Sequence, residues 1–347
     1  MSRVYIVTGA NGHLGRNLIE CLLKAEQEVH ALILPGEQMP HFPNEYLMDV
    51  VEGNVCDIKS MIPLFAETEG KEIVLIHAAA IIDIRSNVSP LTYQVNVVGT
   101  KNVVQLALQY RVYRYLHVSS VHAIPEPKVN KLIRETKFFS PQKVHGGYAK
   151  TKAEATQLVM DAIQNQGLPG IIVHPSGIIG PDEAGHNNIV AAIKNFVQGK
   201  LHICPEGGYN FVDVRDIAHA CIKAVDSGRL GEPYILSGRY YRMRDLFDMA
   251  NTITHEKHRF ISMPIWLLKM FAPWMERWAE HKHQAPLITP YSLFALASRA
   301  NFSHQKASCE LGFWPRDMYD TLKDTIRSFT KPKKRVYAWR RKVSFSQ

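Results

Sequence analysis

Tyr148 and Lys152 lie four residues apart in the segment GGYAKTKAEA. On a helix, residues i and i+4 share one face, one turn apart. A free tyrosine titrates at about 10 and is a poor acid–base group at neutral pH. A fixed ammonium beside it favours the phenolate and lowers that value. Such a pair can give a proton to a carbonyl oxygen or take one from an alcohol. Ser119 and Ser120 close a strand-like run in HVSSVHAI, and a hydroxyl at a strand end can orient a carbonyl and stabilise charge on its oxygen. Of the two, Ser120 is the candidate, with Ser119 packed inward or capping. The candidate catalytic set is Ser120, Tyr148 and Lys152. A tyrosine and a lysine at this spacing also arise by chance on a solvated helix face, so the set depends on a partner site.

That partner site is legible at the start of the chain. Residues Thr8–Gly15 read TGANGHLG, between a strand-like run and a helix start. Gly9 permits a tight turn, Gly12 lets backbone approach a pyrophosphate, and Gly15 allows close packing of helix on strand. The helix N-terminus then offers unpaired N–H groups and the positive end of its dipole to phosphates. Asn11, His13 and Leu14 join the three glycines as candidate cofactor contacts. The stretch after the second strand, Leu32–Gly36, has neither the acidic residue that selects NAD nor the arginine that accepts NADP. Glu37 comes late, and Arg16 either reaches a 2′-phosphate or is an exposed first-turn arginine. The missing acid tilts the expectation slightly to NADP over NAD. Asn54 and Val55 are candidates to border the adenine, while Asp57 either joins them or caps the next helix. Ala78, Ala79 and Ala80 end the fourth strand, where small residues let a cofactor lie against the strand ends or let a helix pack tightly on the sheet. Lys152, with Tyr148, is also expected at the cofactor ribose.

These groups need a scaffold that brings strand ends together. Short β-branched runs at Arg3–Thr8, Glu28–Leu34, Tyr46–Glu52, Ile73–His77, Tyr113–Ser119 and Gly170–His174 alternate with helical stretches at Gly12–Ala25, Ser89–Tyr110 and Gly147–Gln166. Alternation of this kind predicts an α/β, doubly wound Rossmann-type parallel sheet with helices on both faces. Residues 1–175 form the dinucleotide-binding domain. Phe211–Val214 and Tyr234–Leu236 are expected to extend its sheet, with a helix over Asp216–Asp226 between them, so that 211–238 returns to it. Residues 176–210 and 239–330 read as a smaller, mainly helical substrate lobe. The segment Ile265–Ala279, IWLLKMFAPWMERWA, is a helix packed on that lobe or lining its pocket, an interfacial membrane helix or a subunit contact. Residues 331–347 form a basic tail containing KPKKRVYAWRRK, read as a solvated end, with nucleic-acid or anionic-lipid contact as the sharper alternative.

Composition limits the rest. The chain has 347 residues, 46% of them apolar, and a formal net charge of +9. Its five scattered cysteines are at no metal-ligand spacing, so no metal site is expected and the thiols read as reduced. The N-terminus lacks a signal-peptide pattern, and no apolar run approaches the roughly 18 residues that span a bilayer. The expectation is a cytoplasmic protein acting on a small-molecule carbonyl or alcohol. No nucleic-acid partner is expected; peripheral membrane contact and a homodimer stay open.

Together these features resemble the extended branch of the short-chain dehydrogenase/reductase family, part of the NAD-dependent epimerase/dehydratase superfamily. The resemblance runs over roughly residues 3–330, through TGANGHLG at Thr8–Gly15, NVVGTKN at Asn96–Asn102, VSS at Val118–Ser120, YAKTK at Tyr148–Lys152, HPSGIIGP at His174–Pro181 and FVDVRDIA at Phe211–Ala218. It implies Tyr148 as proton donor and acceptor, Lys152 as activator and ribose anchor, and Ser120 as the carbonyl-orienting hydroxyl. Asn96 matches a family asparagine near the active site, or holds backbone at a helix bend. Pro175 and Ser176 match the loop beside the nicotinamide, and Asp213 and Asp216 a structural tie between lobes. Within the family the chain looks most like dihydroflavonol-reductase-like and hydroxysteroid-dehydrogenase-like members. The sugar-nucleotide epimerases and dehydratases usually carry Phe-Asn where this chain has Pro175-Ser176. The acidic NAD selector is missing, and the Trp-, Met- and Phe-rich later segment suits an apolar substrate. Arg239, Arg242 and Arg244 either hold an anion or line a solvated loop. A non-catalytic NAD(P)-sensing protein is the third expectation, opposed by the intact Ser-Tyr-Lys set.

Overall fold

The computed structural model describes residues 2–85, 88–126, 131–181, 187–281, 288–298 and 301–330. The basic tail beyond Thr330 lies outside them. Seven parallel strands form the central sheet: β1 (Arg3–Thr8), β2 (Glu28–Ile33), β3 (Met48–Glu52), β4 (Glu72–His77), β5 (Arg114–Val118), β6 (Gly170–Pro175) and β7 (Pro233–Leu236). Their order is β7-β6-β5-β4-β1-β2-β3. The chain therefore winds outward from β1 to β3, then crosses back to β4 and winds the other way. The reversal leaves a crevice at the carboxyl ends of β1 and β4, where ligands of open α/β sheets bind.

The near-continuous apolar runs of the strands follow from burial on both faces. Alternate side chains of β1 divide between two cores. Val4 and Ile6 pack in one with Tyr115, Val103, Ala107, Val159 and Met160. Tyr5 and Val7 pack in the other with Leu18, Ile19, Leu22, Ile217 and Cys221. The first core is closed by α2 (Thr100–Gln109) and α3 (Gly147–Gln166), the second by α1 (His13–Lys24) and α4 (Val214–Ser227). The expected helix over Ser89–Tyr110 forms from Pro90 to Gln109 but carries a π turn at Gln94–Gly99. Such insertions re-aim side chains and recur at functional sites; here the turn contains Asn96.

One expected strand goes elsewhere. Pro233–Leu236 joins β6 in the main sheet as anticipated. Gly208–Asp213 does not: it pairs in parallel with Gly177–Ile179 and antiparallel with Tyr240–Arg242 in a separate three-stranded sheet. The reason is edge occupancy. β7 already takes the free edge of β6, so the earlier segment pairs with the short strand that continues past Pro175. Beyond it the chain is mainly helical. It includes α5 (Ile265–His281), with Pro273 inside it, and α6 (Pro290–Ala297). Gln305–Leu311 returns to the sheet, burying Ala307 and Leu311 in the same core as α1.

Candidate active site

The turn between β1 and α1 is built as the glycine spacing requires. Gly9 has φ +68°, and a Cβ there would lie 2.7 Å from Ala79 backbone. A Cβ on Gly15 would lie 2.1 Å from the Gly9 carbonyl oxygen. The loop is thus pressed against both its own helix and the Ala78–Ala80 end of β4. Gly12 occupies the N-cap of α1, and no side chain caps that end. Its first-turn N–H groups are left for an anion, so the cradle fits the pyrophosphate of a dinucleotide.

Several neighbouring candidates are engaged within the protein. Asn11 Oδ1 accepts from Arg16 at 3.0 and 2.7 Å. The His13 imidazole bonds the Pro181 carbonyl at 2.9 Å and faces Asn187 at 3.3 Å, joining the start of α1 to the segment after β6. Leu14 is buried in the α1 core. Asn54 Oδ1 accepts from the Cys56 N–H at 2.9 Å, and Val55 packs in the core. Asp57 caps a helical turn through the Lys59 N–H. Asp213 caps α4 and pairs with Arg215, while Asp216 holds Arg316 at 2.7 Å. Arg242 and Arg244 pair with Asp245 and Asp248, and Arg239 is exposed. Glu37 turns back on β2: its carboxylate accepts from the Leu34 N–H at 3.1 Å. The chain therefore has an acidic group beside the end of β2, although the sequence places none at Leu32–Gly36.

Ser120, Tyr148 and Lys152 come together. Ser120 stands just past β5, and its Oγ accepts from the His122 N–H at 3.2 Å. Tyr148 lies in the first turn of α3, with the Ser120 side chain close enough to act on its phenol. One turn on, Lys152 Nζ donates to the Val118 carbonyl at 2.8 Å. All three are under 9% exposed. Burial pushes the Tyr148 phenol up to about 12, against a smaller downward pull from Ser120. Burial draws the Lys152 ammonium down to about 8. Loss of hydration therefore sets the Tyr148 value and outweighs the lowering expected from Lys152, whose ammonium is held by Val118. Ser119 is turned inward, its hydroxyl 2.6 Å from Thr156 Oγ1.

Asn96 spans the two halves of the site. Its amide accepts from the Ile81 N–H at 2.8 Å and donates to the Ile81 carbonyl at 3.0 Å and Thr151 Oγ1 at 3.1 Å. It ties the loop after β4 to α3, as a residue holding backbone at a helix bend does. Pro175 ends β6, and the Ser176 N–H donates to the Leu236 carbonyl. The Ser176 hydroxyl is buried without a partner among the described residues.

Other residues at the site escaped the sequence reading. Thr8, His77 and Thr100 form a buried chain, with His77 2.8 Å from Thr8 Oγ1 and 2.9 Å from Thr100 Oγ1. His122 stacks on Tyr209 at 5.4 Å and 11°, and their polar atoms meet at 3.2 Å. Its ring also lies 6.0 Å from Tyr148 and 5.8 Å from Tyr291. Burial lowers His122 to about 4, so the imidazole is neutral. His122 had a signal, since it sits two residues past Ser120 in HVSSVHAI. Tyr291 had none. Among the described residues no group of three or more His, Cys, Asp or Glu could hold a metal ion.

The comparisons agree with this architecture. Over 332 residues the chain is 27% identical to sterol demethylase protein B of Methylococcus capsulatus, covering 93% of this chain and 97% of that protein. It is 26% identical over 356 residues to a 3beta-hydroxysteroid-dehydrogenase/decarboxylase, isoform 1, of Arabidopsis thaliana, covering 94% and 79%. The crystal structure of gox2253 superposes with a TM-score of 0.79 at 28% identity, covering 95% of this chain and 98% of that one. The profile of the NAD dependent epimerase/dehydratase family matches residues 5–237. The chain belongs to that family, as an NAD-dependent enzyme of the extended short-chain dehydrogenase/reductase type.

Proposed function

We propose that the chain reduces a ketone or aldehyde, or oxidises the corresponding alcohol, with Tyr148 giving and taking the proton. The observation that carries this is the convergence of Ser120, Tyr148 and Lys152, all buried, beside the cleft at the strand ends. When bound, the nicotinamide cofactor supplies or accepts the hydride. Gly9, Gly12, Gly15 and the first turn of α1 would hold its phosphates, and Lys152 and Tyr148 its nicotinamide ribose. Ser120 orients the substrate oxygen. A phenol pushed up to about 12 keeps its proton at neutral pH and can donate it to that oxygen as negative charge develops. Lys152, at about 8, is an ammonium under the same conditions and steadies the phenolate left behind. The rings of His122, Tyr209 and Tyr291 form a wall of aromatic surface beside Tyr148. That wall and the Pro175-Ser176 pair support an apolar carbonyl substrate, bound by the segments 176–210 and 239–330.

Glu37 weighs on the nucleotide. Its carboxylate beside the end of β2 suits a ribose 2′-hydroxyl, and Arg16 is bonded to Asn11. We therefore infer NAD in preference to NADP, against the tilt drawn from the sequence.

A second reading, sugar-nucleotide epimerisation or dehydration with tightly held NAD, is favoured by the family match and uses the same three residues. One screen separates them. Aldehydes, ketones, secondary alcohols and nucleotide-sugars are offered with each nucleotide while reduced-nicotinamide absorbance is followed. Stoichiometric absorbance change with a carbonyl or alcohol is expected. Conversion of a nucleotide-sugar without net change in absorbance would overturn the first reading.

A further inference from the structure

We infer that α5 docks the protein onto an anionic phospholipid surface. Trp266, Met270 and Trp274, at i, i+4 and i+8, are each 67% exposed, and Phe271 is 54% exposed. Ile261, on the strand that leads into the helix, is 70% exposed. The other side of α5 buries Leu268 and Ala272 against Leu293 of α6, and it also buries Glu276. The helix is thus seated by one face, and it turns tryptophan and methionine outward where a surface helix ordinarily turns charge. Among the described side chains of α5, the charged groups on the exposed side are Lys269, Arg277 and the titratable His281, and the carboxylate of Glu276 is inward. Lys257 and Arg259 are exposed just before Ile261, and the exposed Glu256 there faces His258 at 3.5 Å.

Charge decides the occupant. A second copy docked about a two-fold axis would set Lys269 and Arg277 against the same cations, with no outward carboxylate among the described side chains of α5 to receive them. A bilayer supplies both complements: anionic headgroups for the cations, and an interfacial zone in which tryptophan is preferred. No helix among the described residues is long and apolar enough to cross a membrane, so α5 would lie in the plane of the interface. The surface also adjoins the site. α5 packs on α6, whose Tyr291 meets the His122 ring beside Tyr148. The docking does not rest on the proposed reaction.

Vesicle co-sedimentation of the full chain tests it, using phosphatidylcholine alone and with one part in four phosphatidylglycerol. Binding to the anionic vesicles is expected. The exposed pair W266S/W274S should weaken it at least about tenfold, and K269E/R277E should remove the preference for phosphatidylglycerol. Circular dichroism and nucleotide binding should be unchanged in both. Absent binding, or wild-type binding by W266S/W274S, would overturn the inference. So would loss of a dimer in W266S/W274S without loss of vesicle binding, which would mark a contact between copies. Binding that is lost on K333Q/K334Q/R335Q but kept in W266S/W274S would assign the lipid contact to the basic tail instead.

Discussion

At the scale of single residues, the chemistry proposed for this site depends on two buried groups moved from their ordinary values in opposite senses. Tyr148→Phe keeps the ring and removes the transferable proton, so turnover should fall by about 10²- to 10⁴-fold with nucleotide affinity nearly unchanged. Equal loss of nucleotide binding would mean that the hydroxyl serves the cofactor rather than the substrate. Lys152 loses its charge as pH rises through about 8. Reductive turnover should therefore decline above about pH 8, and a flat profile to pH 10 would remove Lys152 as the charged partner. Glu37→Arg exchanges an acceptor for a cation at the end of β2 and should raise the NADP-to-NAD affinity ratio by at least about tenfold, on the scale of one charge-assisted hydrogen bond. An unchanged ratio would show that selection lies elsewhere. Ser120, Tyr148 and Lys152 were legible because their types and spacing restrict the chemistry, and local secondary structure delivers them. Tyr291 was not, because it reaches the site only through packing of a helix far along the chain on the strand-end region, and no local pattern encodes that. The Glu37 contact was hidden for a smaller reason. A turn brings a side chain three residues back, and reading position by position along the strand misses it.

At the scale of elements, the site is held by a helix end and by one irregular turn. The glycine loop was readable in the sequence because Gly9 and Gly15 leave no space for side chains and Gly12 stands at the open N-terminus of α1. The π turn was not, since weak helix formers such as Val95, Asn96 and Gly99 do not say where an extra residue enters a helix; the three bonds of Asn96 to Ile81 and Thr151 hold it in place. Asn96→Ala would leave the Ile81 peptide and Thr151 without those partners. That should cost about 2–3 kcal/mol of stability in denaturant unfolding, the range for buried polar groups left unmatched. Nucleotide affinity should weaken as well, because the loop after β4 borders the cleft. Loss of stability with full affinity would separate that loop from the cofactor. The same limit on local reading explains the strand at Gly208–Asp213. Its buried apolar run announces a strand, but which edge it joins depends on the free edge of β6 being held by β7, a segment later in the chain.

At the scale of the whole molecule, the sheet buries three histidines near Lys152: His77 and His117, opposite each other on β4 and β5, and His174, further along β6, each at most 1% exposed. With His122 they make four imidazoles held neutral by burial. His77 is lowered to about 3, His122 and His174 to about 4, and His117 well below its ordinary value, also by the nearby Lys152. These shifts fix the sign of the pH dependence. Below about 6.5 the unfolded chain binds protons that the folded chain refuses, so stability falls as pH falls from that value toward 4. Each such group costs roughly 1.4 kcal/mol of stability at one pH unit below its unfolded value, so the four together cost about 6 kcal/mol near pH 5.5. That is comparable with the whole stability of many domains. It is also a different window from the carboxylates Asp83 and Asp213, whose lowered values act only as pH falls through the carboxylate range. Urea midpoints should therefore drop steeply between pH 7.5 and 5.5. His117 separates this cause from others, because neither of its ring nitrogens finds a hydrogen-bond partner among the described residues. His117→Leu removes a titrating group without orphaning another. It should leave stability at pH 7.5 equal or higher and make the acid limb shallower by about a quarter. A midpoint that falls at pH 7.5 would mean that the imidazole is bonded after all, and an unchanged acid slope would place the responsible protons on other groups.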